Sequence, residues 1–160
     1  MRWIWTIAMV AAMTAVSAGC ASNAQPAEAS DITEPFSGTW AVEWCNEARP
    51  DHDCGGFDVT LVQRGRSVCG QYDSARVNLT QVDEGRVTGV VHGDSATLRV
   101  RSNRNQALVE AEVRRIGNSL HWKQGDTIEP GGSDVAIIAN QEILEDAGEG
   151  QLRAPEECNL

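Results

Sequence analysis

From Phe36 onward the chain alternates apolar and polar residues at a period of two, with Gly and Asp turns breaking the alternation. Trp40, Val42 and Trp44 share one parity, as do Phe57, Val59 and Leu61, then Val68, Gly70 and Tyr72. The pattern resumes with Val87, Gly89 and Val91, Ala96, Leu98 and Val100, Val109, Ala111 and Val113, and Leu120 and Trp122, and ends on the run Val135 to Ile138. Half-buried strands require this spacing, because successive side chains point to opposite faces of a sheet. No stretch between 36 and 133 repeats at 3.6 residues, and the one candidate helix is short, at 140–146. The expected fold is all-β: an antiparallel meander of about eight strands over residues 36–146, closing into a small barrel. Closure would pair the first strand with the last and leave no open edge. A two-sheet β-sandwich is the alternative arrangement of the same strands. The stretch from Val77 to Val82 stays unassigned.

Three hairpins acquire a register when both faces must agree. A turn at Gly93-Asp94 sets Val91 against Ala96, Gly89 against Leu98 and Val87 against Val100. A turn at Gly117-Asn118 sets Val113 against Trp122 inside and Glu112 against Lys123 outside. A loop at 104–107 sets Val100 against Ala111 and Leu98 against Val113, pairing Arg101 with Glu110 and Arg99 with Glu112 outside. A slip of one residue would invert every face.

The first residues have a different character. Arg2 is the sole charge before Glu28, and Trp3 to Gly19 is an uncharged, mostly apolar run that ends in the small residues Ser17, Ala18 and Gly19 before Cys20. A basic start, an apolar core and small residues at a cut site describe a signal peptide. The segment resembles the bacterial lipobox, with Ser17 where Leu is usual. The resemblance implies that residues 1–19 are a lipoprotein signal peptide, that Cys20 receives diacylglycerol by thioether linkage, and that cleavage before it frees an amine for acylation. Several acyl chains make such an anchor effectively permanent. Ala21 follows, not the Asp associated with inner-membrane retention, so the outer membrane is the expected address. Residues 20–35 hold Pro26 and Pro35 among small polar residues and are expected to form a flexible tether.

Cys45, Cys54, Cys69 and Cys158 remain. In an exported chain they read as two disulfides, with three possible connectivities. A hairpin around Gly65-Arg66 puts Cys69 opposite Val62, far from Cys54. Cys45 and Cys54 bracket a polar loop between two strands. The favoured pairing is therefore Cys45–Cys54 with Cys69–Cys158, the second tying the C-terminal tail, 147–160, to the barrel wall. No C-x-x-C or H-x-x-x-H spacing favours zinc.

Gly38-Thr39-Trp40 resembles the G-x-W opening of lipocalins and the Gly-Thr-Trp of avidin-like barrels. The resemblance implies a calycin-like barrel but no ligand, since the further lipocalin motifs, the long C-terminal helix and a biotin pocket are absent. Trp40, Trp44, Phe57, Tyr72 and Trp122 are all expected to point inward, where an eight-stranded barrel is either filled or keeps one small cavity. Trp40, Trp44, Tyr72 and Trp122 are the residues that would line such a cavity.

Catalytic candidates are few. His92, Asp94 and Ser95 lie in one tight turn and cannot form a relay of nucleophile, base and orienting group. Asp51, His52 and Asp53 sit in the disulfide loop, and consecutive residues of this kind rarely converge on a metal ion. Asp83 and Glu84 occur in a "DEG" sequence read as a solvated turn. The net charge is −10, and −11 once Arg2 leaves with the leader, which argues against nucleic acid as a partner. These features imply a non-catalytic, membrane-anchored lipoprotein that presents a barrel module to an unknown protein or small ligand, without a cofactor. The alternative is an enzyme inhibitor that inserts a loop into a cationic host enzyme, similar in logic to small periplasmic lysozyme inhibitors, whose motif is absent. A hydrolase is the reading the residues support least.

Overall fold

The computed structural model describes residues 34–49, 53–77, 81–148 and Cys158. The expected signal peptide, the expected lipidation site Cys20 and the expected tether up to Thr33 lie outside the described residues, as do Asp51 and His52. Eight antiparallel strands follow one another in order: β1 (Gly38–Cys45), β2 (Cys54–Arg64), β3 (Ser67–Ala75), β4 (Val82–His92), β5 (Ser95–Ser102), β6 (Leu108–Ile116), β7 (Ser119–Glu129) and β8 (Gln141–Asp146). Each pairs with the next, and β1 pairs with β8, so the sheet closes into a barrel. The sandwich alternative is excluded by that closure.

Alternation fills the inside. Trp40, Phe57, Val59, Leu61, Val68, Tyr72, Val87, Leu98, Val100, Val113, Leu120, Trp122 and Leu144 form one buried cluster. Two-residue turns at Gly65-Arg66, Gly93-Asp94 and Gly117-Asn118 join β2–β3, β4–β5 and β6–β7. Gly65, Gly93 and Gly117 have φ of 58°, 69° and 59°, a left-handed conformation that glycine adopts at no steric cost. Cys69 lies opposite Val62 as expected. The β4–β5 and β6–β7 registers likewise match expectation.

Three expectations are corrected. The segment 140–146 is not a helix: Gln141–Asp146 is β8, pairing with β7 along five residues and with β1 at Trp40–Asp146 and Ala41–Glu145. A stretch this short cannot sustain an isolated helix, whereas the facing strands offer backbone partners at once. Val135 to Ile138 is not the last strand but part of an irregular segment, 130–140, that passes over one end of the barrel. Finally, β6 sits two residues away from its expected register: Leu98 faces Ala111, Val100 faces Val109 and Arg99 faces Glu110. A two-residue shift preserves every inward and outward assignment, so the apolar pattern tolerates both. The loop decides, because Ser102 N–H bonds Ala107 O at 2.9 Å and Gln106 takes a φ of 67°.

The even topology sorts the connections. The three tight turns share one end, where Phe36 is buried, donates its N–H to Gln63 Oε1 and accepts the Trp40 indole N–H at 3.2 Å. The Arg115 guanidinium lies 4.2 Å from the Trp40 ring centroid and covers this end. The opposite end carries the longer connections.

Candidate functional site

At that opposite end the aromatic side chains meet. Phe57 lies 5.5 Å from Tyr72, 5.0 Å from Trp122 and 6.4 Å from Trp44, centroid to centroid. Gly85, across from Tyr72 on β4, leaves room for the phenol ring: a Cβ there would fall 2.8 Å from Tyr72 Cε1 and 1.8 Å from Arg101 O. Trp44, Tyr72 and Trp122 are thus brought together through Phe57. Trp40 is directed to the other end. With Trp40 at the opposite end, the four residues expected to line one cavity do not meet around a common space.

Over this aromatic floor stands a buried carboxylate. Asp83 is 4% exposed and faces inward from β4, so its reading as a solvated turn residue is overturned. Five donors surround it: the Tyr72 hydroxyl at 2.9 Å, the Ser102 hydroxyl at 2.8 Å, and the backbone N–H groups of Glu84 (2.9 Å), Arg104 (3.1 Å) and Ile137 (2.9 Å). A carboxylate leaves water at tolerable cost only when its lone pairs are satisfied in this way. Burial, and then the neighbouring Asp83 charge, push the Tyr72 phenol far above its ordinary range. Ser74 donates to Ile137 O at 2.6 Å and the Trp122 indole to Ala139 O at 2.8 Å. The segment 130–140 is thereby fastened across the barrel end by three inward side chains.

The β1–β2 loop projects from the same end. The Cys45–Cys54 disulfide closes its base. Asn46 N–H bonds Asp53 O at 2.9 Å and Asp53 N–H bonds Arg49 O at 3.1 Å, while the Arg49 guanidinium pairs with the Asp53 carboxylate. Glu47, Ala48 and Arg49 remain exposed on this braced loop. Cys69–Cys158 is the second disulfide; Cys69 faces outward from β3 and is 6% exposed.

Beside the loop, a groove of about 950 Å³ runs along the outside of β1–β4. Glu43, Asp58, Asp73 and Glu84 line it, with Asp58 directly opposite Asp73 and Asp73 opposite Glu84. Burial and the charges of Asp73 and Glu43 raise the Asp58 carboxyl above its ordinary value; burial and Glu84 do the same to Asp73. Like charges in directly opposed positions weaken a sheet.

His92 and Ser95 occupy the turn, with Ser95 Oγ donating to His92 O at 3.2 Å, and His121 faces Arg114 across β6–β7. Among the described residues, no three His, Cys, Asp or Glu are grouped to hold a metal ion. No family model, curated protein or solved structure matches the chain.

The disulfide loop and the aromatic residues were visible in the sequence as patterns. The sequence does not reveal Asp83 as a buried carboxylate, because apart from the adjacent Glu84 its donors come from positions 72, 102, 104 and 137, distant along the chain. The inward side of an alternating strand is the one signal available: Asp83 shares parity with Gly85 and Val87.

Proposed function

We propose that the chain is an exported, lipid-anchored, non-catalytic binding module that meets a protein partner through the loop end of its barrel. The observation that carries this reading is the β1–β2 loop, braced by a disulfide and a hydrogen-bond frame from Asn46 and Arg49 to Asp53 while Glu47, Ala48 and Arg49 stay exposed. Order imposed before binding lowers the entropy lost on association. The lipobox resemblance at Cys20 supplies the anchor and the oxidising compartment in which such disulfides persist.

A second reading, inhibition of a cationic enzyme, is favoured by the acidic groove next to the loop, since complementary charge accelerates encounter and selects partners. Both readings share one test. A photocrosslinking residue is placed at Glu47 and, as a control, at Asp94 on the opposite end, in cells of the native host. A discrete adduct from Glu47 alone is expected. Equal labelling from both positions, or none from either, would remove the loop end as the site, and a basic secreted enzyme in the Glu47 adduct would select the second reading.

A further inference from the structure

We propose that segment 130–140 is a strap that opens while the barrel stays closed, uncovering a binding site for a planar apolar molecule that carries a hydrogen-bond acceptor. The inference is independent of the anchor and of the loop partner.

The strap contributes no residue to the sheet ladders, which end at Glu129 and resume at Gln141. It begins with Pro130-Gly131-Gly132-Ser133, a hinge composition, and its residues from 130 to 135 are exposed. Ile137 and Ala139 are its two buried apolar residues and Ile138 is partly buried against the core, while near its two ends it is held by Gly132 N–H to Asn105 O, Asn105 Nδ2 to Asp134 O and Gln124 N–H to Asn140 O. Segments with few buried apolar contacts open at a lower free energy than the structure as a whole.

What lies beneath is already built as a site. Phe57, Tyr72 and Trp122 form a packed aromatic floor. Ser74 Oγ and Trp122 Nε1 donate to the strap carbonyls of Ile137 and Ala139, so the strap occupies two hydrogen-bond donors that a ligand acceptor would take in its place. Opening does not strand the buried carboxylate. Asp83 would lose the Ile137 N–H alone and keep Tyr72, Ser102, Glu84 and Arg104. Flat apolar walls with a few convergent donors are the usual make-up of small-molecule sites.

The test follows hydrogen exchange by NMR in the full-length protein, together with binding of prodan, a neutral naphthalene ketone. The Ile137 amide and the Trp122 indole N–H should exchange at one common rate, on the order of a hundredfold faster than the Leu98 amide in β5. The Trp40 indole N–H, at the other end, should stay slow. Ile137→Ala weakens the closed strap without touching the floor, so it should speed both reporters and tighten prodan binding, each by about tenfold or more. Asp134→Asn, which removes the exposed ion pair to Arg104 at 2.9 Å, should act in the same direction by a smaller factor. Exchange of Ile137 and Trp122 at the Leu98 rate would overturn the proposal, as would prodan binding that neither variant alters.

Discussion

Asp83 shows how much can rest on one side chain. Asp83→Asn keeps the size but turns one acceptor oxygen into an NH2 group facing N–H donors, so the variant should lose about 3–5 kcal/mol in chemical denaturation. Tyr72→Phe deletes one of five donors and should lose about 1–2 kcal/mol. Equal losses would mean that the carboxylate does not organise the strap end. Asp73 should behave in the opposite way. Its carboxyl and that of Asp58 are raised, so between pH 3.8 and their raised values the folded state binds protons that the unfolded chain has released. Stability from these two groups therefore falls as pH rises through that window. Both are partly exposed, and screening keeps the effect small. Asp73→Asn should raise stability at pH 7 by ~0.5–1 kcal/mol, a shift of a few degrees in Tm, and the gain should disappear near pH 3. A variant that melts lower than the parent at pH 7 would show that the opposed carboxylates do not repel.

At the scale of elements, faces were legible and partners less so. Period two tells which residues of β5 and β6 point inward, because a strand has only two sides. It does not distinguish registers two residues apart, since every residue keeps its side. That choice belonged to the Ser102–Ala107 connection, whose geometry depends on Asp83 and on a left-handed Gln106. The strap and β8 exchanged roles for a related reason. Val135 to Ile138 looks like a strand by apolarity, but its polar groups are met by Asp83 and Ser74, whereas the more polar Gln141–Asp146 supplies the backbone partners that β1 and β7 need. The faces have a direct test. Val113→Asp buries a carboxylate beside Trp122 and should cost more than about 4 kcal/mol, whereas Glu112→Lys, on the wet side, should cost about 0.5 kcal/mol or less. Thermal melts in which the two variants are equally damaged would contradict the barrel assignment of these strands.

At the scale of the whole molecule, the meander order and both cysteine pairs were accessible from the sequence, because alternation, turns and loop brackets are local signs. The convergence of Asp83, Ser74, Trp122 and the strap was not, since no local pattern encodes contacts across the barrel. The anchor is tested on the intact chain: Cys20→Ser should abolish incorporation of a labelled fatty acid and leave the precursor uncut before residue 20. Label retained by the variant, or never acquired by the wild type, would refute it. The closure of β1 on β8 carries a further consequence. The ring is completed by the first strand and the last, through the pairs Trp40–Asp146 and Ala41–Glu145, so the sheet keeps two raw edges until the final strand has been delivered. A chain that emerges N-terminus first thus leaves the edges of β1 and β7 open to pairing with neighbours until nearly all of it has emerged. A nonsense mutation just before Gln141 should therefore yield a sheet with open edges, prone to aggregation, instead of a smaller barrel.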